Sequence, residues 1–219
     1  MIRTAECITP HHPDKICDRV SDAILDACLE QDPLSRVAVE TMGGHRRIVI
    51  MGEITTDASI DIPAVVRSVY DDIDDIAVHV VEQSNFISQG VDTGGAGDQG
   101  IMVGYACDDN QQMIPQELYL ARQLCQILYE DYPFDGKTQV TLDDGVITAV
   151  VASFQNASGL ELYNRVEEWL DDQGYKNPSG SVDIHCNPAG DWEVGGFDAD
   201  TGLTGRKLVV DNYGPRVPI

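Results

Sequence analysis

The sequence predicts an α+β fold made of two similar units, and three observations support this fold class. Segments with the periods of strands and helices follow each other in the order β-α-β-β-α-β, and this order occurs twice, offset by roughly 100 residues. Turn signals between paired strands indicate mostly antiparallel sheets. Each helix carries a single apolar stripe, which predicts helices on one face of each sheet.

The first unit is predicted to contain two helices and four strands. In chain order they are strand 2–8, helix 12–31, strand 36–42, strand 46–56, helix 61–75 and strand 77–83. The first helix repeats an apolar residue at every fourth position from Ile16 to Cys28, and the second shows a clear 3.6-residue period. The pair Gly43-Gly44 predicts the turn between the two central strands.

The second unit repeats this order. Its predicted segments are strand 101–107, helix 115–131, strand 137–143, strand 145–154, helix 160–173 and strand 181–187. Pro115 fits the start of a helix, where its missing N–H costs nothing. Asp144-Gly145 is a strong hairpin signal, because both turn residues must tolerate a positive φ.

The two units define two predicted domains, residues 1–95 and 96–219. The second domain includes residues 188–219, which are rich in glycine and proline and lie outside the repeated pattern. No low-complexity linker separates the domains, so we expect them to pack together.

The charge of the chain disfavours several classes of function. Among 219 residues, 37 are Asp or Glu and 14 are Lys or Arg, which gives a formal net charge of −23. Nucleic acids and anionic membrane surfaces both recruit cations, so neither is an expected partner. No stretch approaches the roughly 20 apolar residues of a membrane span. The absence of a signal-peptide layout and of a CxxC pattern among six cysteines predicts a cytoplasmic protein without disulfides.

The segment His12-Pro13-Asp14-Lys15 is a candidate phosphate site. Pro13 fits the first turn of a helix, so the free N–H groups and the positive dipole end lie beside His12 and Lys15. Asp14 could hold Mg²⁺ against the same phosphate. The alternative is a capped helix with a favourable aspartate in its first turn.

Two carboxylates end buried strands. Glu40 follows Val39, and Glu53 follows the run that ends at Gly52. Such carboxylates are either solvated at the edge of the sheet or gathered round a cation, and the pattern leaves both open.

Residues 95–100 match GxGxxG without the context of a dinucleotide site. That reading needs a helix after the motif, whereas the following residues 101–106 have the pattern of a strand. We reject the dinucleotide interpretation. A loop that approaches a ligand with its backbone stays open.

The segment 195–207 is the densest in chemistry. It contains four glycines, the carboxylates Asp198 and Asp200, and the adjacent cations Arg206 and Lys207. In so acidic a chain, an anionic substrate depends on scarce cations or on metal ions, so this loop is a candidate anion site. A plain surface loop is the alternative.

Five blocks, taken together, resemble the S-adenosylmethionine synthetase family. They are His12-Pro13-Asp14-Lys15 with its continuation to residue 26, Gly52-Glu53-Ile54-Thr55-Thr56, Gln89-Gly90-Val91-Asp92, Gly95-Ala96-Gly97-Asp98-Gln99-Gly100 and Gly202-Leu203-Thr204-Gly205-Arg206-Lys207. The blocks occur in the family's order and cover most of the chain.

The resemblance implies synthesis of S-adenosylmethionine from ATP and L-methionine. In this family the methionine sulfur attacks the ribose C5′ and displaces the triphosphate, which is then hydrolysed to pyrophosphate and phosphate. The family uses Mg²⁺ and usually K⁺. Its subunits contain three α+β repeats, and two subunits pack sheet against sheet with active sites between them. We therefore expect a homodimer, or a dimer of dimers.

The resemblance also implies roles for individual residues. It assigns His12, Lys137 and Arg206 to catalysis, with His12 beside the bond that breaks. Those that would hold ATP or its phosphates are Lys15, Asp98, Asp135, Lys137, Trp192, Asp200, Arg206 and Lys207. Those that would surround methionine are Glu53, Gln89 and Asp200. Asp14 would bind Mg²⁺, and Glu40 would bind K⁺.

The chain departs from the family pattern at several positions. His11 replaces the glycine before the motif histidine, and the gating-loop segment after Val91 is shorter. Where many members have Arg-Phe, this chain has Asp191-Trp192, so the indole can stack on adenine but the carboxylate adds negative charge near the phosphates. The chain stops at Ile219, where the family continues with further Lys and Asp ligands and a third domain. We therefore expect weaker triphosphate binding or hydrolysis.

Two other functions stay open. The chain could be a non-catalytic relative that binds or regulates a full-length synthetase. It could also be an unrelated phosphate-binding α+β protein in which the blocks coincide by accident.

Overall fold

The structure, a computed structural model, describes residues 1–91, 94–174 and 182–218. The strands in these ranges are β1 (Ile2–Ile8), β2 (Arg36–Gly44), β3 (Arg47–Thr55), β4 (Asp75–Val81), β5 (Gly136–Asp143), β6 (Val146–Phe154), β7 (Asp183–Cys186) and β8 (Thr201–Leu203). The helices are α1 (Pro13–Gln31), α2 (Ile62–Val69), α3 (Asn85–Val91), α4 (Gln116–Asp131), α5 (Gly159–Gln173), α6 (Gly196–Ala199) and α7 (Leu208–Asp211), followed by a 3-10 turn at Gly214–Arg216. The predicted α+β class is confirmed.

The strands form two four-stranded sheets with the same topology. The first sheet has the order β4-β3-β2-β8, and the second has the order β7-β6-β5-β1. In each sheet an antiparallel hairpin is flanked by a parallel strand on one side and by an antiparallel edge strand on the other. Antiparallel pairs therefore predominate in both sheets.

The edge strands are exchanged between the two halves of the chain. β1 lies in the second sheet, where it pairs with β5 from Ile2↔Asp143 to Ile8↔Lys137. β8 lies in the first sheet, with Leu203 opposite Met42 of β2. Each sheet thus takes one strand from beyond the predicted domain boundary at residues 95 and 96, and that boundary stays a prediction.

The prediction of a strand at 101–107 is wrong. These residues belong to no strand in the described part of the chain, and Ile101 and Met102 are 93% and 91% exposed. The reason lies in the second sheet, where β1 already occupies the edge of β5. An alternating pattern needs a free edge to become a strand, and here that edge is filled by a segment from the other end of the chain.

Three other elements also differ from the prediction. The helix predicted at 61–75 ends at Val69, because Tyr70 is extended (φ −148°, ψ 111°) and four of the next five residues are aspartates, which are poor helix formers. Helix α3 was not predicted. The strand predicted at 181–187 is observed as Asp183–Cys186, and its first residue lies outside the described ranges.

Each sheet buries one face beneath a pair of helices. α1 and α2 cover the first sheet, and the core between them includes Ile16, Val20, Ile24, Ile48, Ile50 and Phe197. α4 and α5 cover the second sheet, and that core includes Leu124, Leu128, Val140, Val150, Phe154 and Leu170. On the opposite face of the first sheet, side chains such as Met42, Met51 and Val81 are exposed.

The glycines Gly43 and Gly44 do not form the predicted turn. They end strand β2, and the turn is made by His45 and Arg46, whose φ angles are 50° and 60°. A side chain on Gly43 would lie 2.4 Å from the ring of Phe197, so close packing rather than backbone conformation requires glycine there. The other predicted turn, Asp144-Gly145, has the two positive φ angles that it needs.

Two general properties follow from the described ranges. None of their helices combines the length and the apolar character that a membrane span requires. All six cysteines carry free thiols. Burial raises the pKa of the Cys17 thiol to about 12, so this side chain behaves as a small apolar group.

Candidate phosphate site at the start of helix α1

The first turn of α1 places a histidine at a free helix end. His12 is the N-cap residue, and Pro13 occupies the first helical position, as the sequence predicts. The ring Nδ1 of His12 accepts a hydrogen bond from the N–H of Asp14 at 3.2 Å. Burial lowers the pKa of His12, so the ring is neutral at pH 7. Because Nδ1 accepts, the ring proton sits on Nε2, which can donate to a ligand oxygen.

Asp14 is the most deeply buried charge of the site, with 1% of its surface exposed. Its Oδ1 accepts the N–H of Leu203 at 3.0 Å, and its Oδ2 contacts the ammonium of Lys207 at 2.5 Å. Arg206 lies 3.7 Å away. Burial by itself raises the pKa of Asp14, but the hydrogen bonds from Lys207 and Leu203 outweigh it and hold the pKa below its ordinary value. The carboxylate therefore stays ionised and gathers both cations of the glycine-rich segment.

The strand exchange explains why that segment lies across the start of α1. β8 pairs with β2, and Thr204 extends the contact by accepting the N–H of Thr41 at 2.6 Å. A side chain on Gly202 would meet the carbonyl of Pro13 at 2.1 Å. The N–H of Gly205 bonds to Asp18 at 2.9 Å. Glycine is thus required at 202 for backbone to pass over backbone.

Lys15 is tied to two carboxylates in this structure. Its ammonium lies 3.0 Å from Asp18 and 2.8 Å from Asp211. Burial lowers the pKa of Lys15, but its hydrogen bonds with Asp211 and Asp18 outweigh burial and raise it. Lys15 thereby links α1 to α7 rather than presenting a free cation.

Asp135 and Lys137 bring the second sheet to the same site. Asp135 is 8% exposed, and its Oδ2 accepts the N–H of Gly196 at 3.0 Å. Its Oδ1 is buried without a hydrogen-bond partner in the described structure. Lys137 is exposed at the end of β5, opposite Ile8 and Ser153. Both charges act on the ring of His12, Asp135 raising its pKa and Lys137 lowering it.

Trp192 lies on the loop between β7 and α6. Its main-chain carbonyl accepts from Asn156 at 2.9 Å. The preceding Asp191 accepts the N–H of Gly159 at 2.8 Å, at the start of α5. We expected Asp191 to add charge near phosphates, whereas its bonded oxygen caps this helix.

The remaining predicted ligands lie on other elements of the described structure. Glu40 is exposed and Glu53 half-buried on the outer face of the first sheet. Asp98 and Asp200 are exposed, and each accepts the N–H of the next residue. Gln89 is exposed on α3. In the described structure no hydrogen bond or ion pair connects Glu40, Glu53 or Asp98 to Asp14, His12 or Lys207.

The described residues contain no group of three or more His, Cys, Asp or Glu that could hold a metal ion. Mg²⁺ usually needs only one or two carboxylates, because substrate phosphates and water complete its shell. Asp14 could serve as one such carboxylate ligand. The Oδ1 of Asp135, which has no hydrogen-bond partner in the described structure, is a second candidate oxygen. Glu40 offers K⁺ one exposed carboxylate.

Sequence reasoning missed Thr204 and Asn187. Asn187 is buried to 94%, and its side chain bonds to Phe154, Ala157, Asp191 and Trp192. An Asn-Pro pair at the end of the predicted strand 181–187 was the available signal, since asparagine tolerates the positive φ of 43° found here.

Comparison with known proteins identifies the family of this chain. Residues 1–89 match the model of the S-adenosylmethionine synthetase N-terminal domain, and residues 93–192 match that of its central domain. The chain belongs to the S-adenosylmethionine synthetase family. The resemblance drawn from the five sequence blocks is thereby confirmed.

Individual relatives give the same result. S-adenosylmethionine synthase 1 of Rhodospirillum rubrum is 39% identical over 96% of this chain and 64% of its own length. The S-adenosylmethionine synthases of Nocardia farcinica and Brachyspira hyodysenteriae are each 40% identical over 96% of this chain and 65% of their own length. The chain thus spans slightly less than two thirds of these relatives.

Proposed function

We propose that this chain is a methionine adenosyltransferase that makes S-adenosylmethionine from ATP and L-methionine. The methionine sulfur forms a bond to the ribose C5′, and the C5′–O bond breaks with its electron pair leaving on the triphosphate. The triphosphate is then hydrolysed to pyrophosphate and phosphate. The observation that carries the proposal is the cluster of His12, Lys207 and Arg206 round Asp14 at the free end of α1.

The reaction needs electrostatic help more than a base. Sulfur is already nucleophilic, whereas charge accumulates on the departing triphosphate, so donors and cations aimed at that oxygen lower the barrier. His12 offers its Nε2 proton, and the exposed Lys137 and Arg206 offer charge. A helix N-terminus adds main-chain N–H groups.

Binding of the triphosphate would change the partners of Lys207. In this structure Lys207 neutralises Asp14. We propose that its ammonium turns to a phosphate oxygen, and that Asp14 then serves Mg²⁺. When bound, Mg²⁺ supplies positive charge between the carboxylate and the phosphates. The exchange keeps a buried carboxylate paired both with and without substrate.

The methionine ligands would act across an interface between two copies. Glu53, Gln89 and Asp200 are proposed to surround methionine, Glu40 to hold K⁺, and Asp98 to contact ATP. Glu40 and Glu53 lie on the outer face of the first sheet, among apolar side chains that include Met51, which is 56% exposed. Covering this face with the same face of a second copy would bury the apolar surface and complete the site, as a homodimer or a dimer of dimers.

Product analysis tests the activity directly. Purified protein with ATP, methionine, Mg²⁺ and K⁺ is expected to form S-adenosylmethionine detectable by mass spectrometry. The control is His12→Ala, which removes the donor beside the leaving oxygen. If wild-type protein forms no more product than this variant, the proposal is overturned.

A second function follows from the exposed sheet face. The same apolar surface would fit a longer member of the family, and the chain would then act as a non-catalytic binding or regulatory subunit. Size-exclusion chromatography with light scattering separates the two proposals. A stable monomer that forms no product alone favours the second, and a dimer favours the first.

A further inference from the structure

Trp192 is held in place although it lies on a loop. Its indole Nε1–H donates to Oδ1 of Asn187 at 3.3 Å. The edge of its ring lies against Gly195, where a side chain would approach Cζ3 to 2.6 Å. Its carbonyl accepts from the N–H of Asn156 at 2.9 Å. Main chain, ring edge and ring nitrogen are therefore all fixed.

Asn187 connects this ring to the rigid second sheet. The same Oδ1 accepts the N–H of Phe154, the last residue of β6, at 3.0 Å. The main-chain N–H of Asn187 donates to Ala152 of β6 at 2.9 Å. Its Nδ2 donates to the carbonyl of Ala157 at 2.8 Å. With these bonds and 94% burial, the side-chain amide of Asn187 has little conformational freedom. The orientation of the indole is therefore fixed relative to β6.

The ring faces open space. Trp192 is half-buried and borders a cavity of about 580 Å³, which is lined also by Asn156, Ala157, Ser158, Asp191 and Glu193. A planar heterocycle could stack on this indole, and a ring that is already oriented loses less freedom when it binds one.

We propose that Asn187 is a positioning residue that pre-orients Trp192 as the stacking surface for the nucleobase of the nucleotide. This inference rests on the proposed function, with ATP as a substrate, and on the expectation from the sequence that adenine stacks on Trp192. A phenylalanine in place of Trp192 could stack, but it has no N–H to bond Asn187 and would have to be ordered on binding. Trp192 thus combines a stacking surface with a hydrogen bond that fixes its orientation.

A double-mutant cycle tests the positioning role. The variants are Asn187→Gly, which suits the positive φ, Trp192→Phe, which keeps a ring without the donor, and the double variant. Affinity for a non-hydrolysable ATP analogue with Mg²⁺ is measured by calorimetry. We expect each single change to raise Kd about three- to tenfold, the range of one lost hydrogen bond. The double variant should match Trp192→Phe alone, because Asn187 acts through the indole N–H.

Additive effects of the two changes, or an unchanged Kd for Trp192→Phe, would overturn the inference. Asp61→Ala is the control for lowered stability, since it removes the N-cap of α2 in the first unit and should leave Kd unchanged. If Asn187→Gly does not fold, Trp192→Phe alone decides the question.

One further variant separates this inference from the proposed function. Trp192→Ala should raise Kd more than Trp192→Phe. If Trp192→Ala leaves Kd unchanged while the protein still forms S-adenosylmethionine, the stacking surface is wrong and the activity stands. If wild-type protein neither binds the analogue nor forms product, the proposed function fails as well.

Discussion

The two sheets have the same strand order, but the side chains on their outer faces differ in chemistry. On the first sheet the outer face exposes five large apolar side chains, Met42, Val49, Met51, Val81 and Leu203, beside charged residues that include Glu40 and Glu53. On the second sheet the corresponding face exposes fewer large apolar side chains, Ile2 and Val146, and its other members include Thr4, Glu6, Lys137, Gln139, Thr141, Ser153 and His185 beside the half-buried Ala149 and Val151. The shared topology thus determines which positions lie on the outer face, and the residue types at those positions determine what can bind there.

This difference suits the two faces to different roles. An apolar sheet face of several residues is costly in water and calls for a partner surface. A polar face can stay solvated or meet a charged ligand, and Lys137 ends that face beside the cluster of Asp14. Under the proposed function, the outer face of the first sheet supplies the subunit contact, and Lys137 of the second sheet adds one cation to the phosphate cluster at the start of α1.

The largest expected effect is on the link between helix α1 and the segment that follows β8. Lys207→Met should destabilise the fold by about 3 kcal/mol at pH 7, because the buried carboxylate of Asp14 loses its closer cation and keeps only Arg206 and the N–H of Leu203. Thermal unfolding of both proteins measures this. Lys15→Met, whose two acidic partners are more exposed than Asp14, is the control and should cost less.

The pH dependence of that loss has a defined sign. The pKa of Asp14 lies below its ordinary 3.8, so the pair stabilises the protein above about pH 4, and this stabilisation is lost as the pH falls through the native pKa. The stability gap between wild type and Lys207→Met should therefore shrink below pH 4. A gap that widens in acid would contradict this account.

Lys137→Ala tests the polar face. We expect S-adenosylmethionine formation to fall by about 10²–10³, because one cation near the leaving triphosphate is lost. Gln139→Ala, two residues along the same face, should change the rate little. Equal losses in the two variants would remove the distinction between a phosphate ligand and the rest of this face.

Met51→Lys tests the apolar face. A lysine there faces Glu40 across the hairpin, so the subunit can still fold, but pairing of two such faces would bury charge. We expect the dimer to dissociate at least tenfold more readily in light scattering over a dilution series. Leu34→Lys changes an exposed leucine outside the sheets and should keep the wild-type mass. A dimer unaffected by Met51→Lys would place the contact elsewhere.

The smallest effect compares equivalent helices of the two units. Ser158 caps α5 in a reciprocal capping box with Glu161, whereas Asp61 caps α2 through its own side chain. Ser158→Ala should cost about 1 kcal/mol, and more than Asp61→Ala, since two bonds are lost rather than one. Chemical denaturation measures both. The reverse order would show that the box adds nothing.

Most elements of the fold were predictable from local patterns. Helix α1 starts at Pro13, and the Asp144-Gly145 hairpin lies where its sequence indicates, because caps and turns depend on neighbouring residues. The strand at 101–107 was predicted wrongly, since its pattern is local but its edge was taken by β1.

The candidate site likewise has features that local sequence predicts and features that only the structure shows. The sequence indicated His12 at a helix end and a scarce cation pair at Arg206 and Lys207. It could not indicate that Asp14 holds both of these cations, since 192 positions separate Asp14 from Arg206 along the chain (206 − 14).

The sequence by itself determined the fold class, the helix and hairpin positions and the family, because these depend on periodicity and on short motifs. Only the tertiary structure decided which strand completes each sheet, which carboxylate holds Lys207 and which amide orients Trp192. Those choices join residues far apart in the chain, and their free energy comes from contacts that no local segment contains.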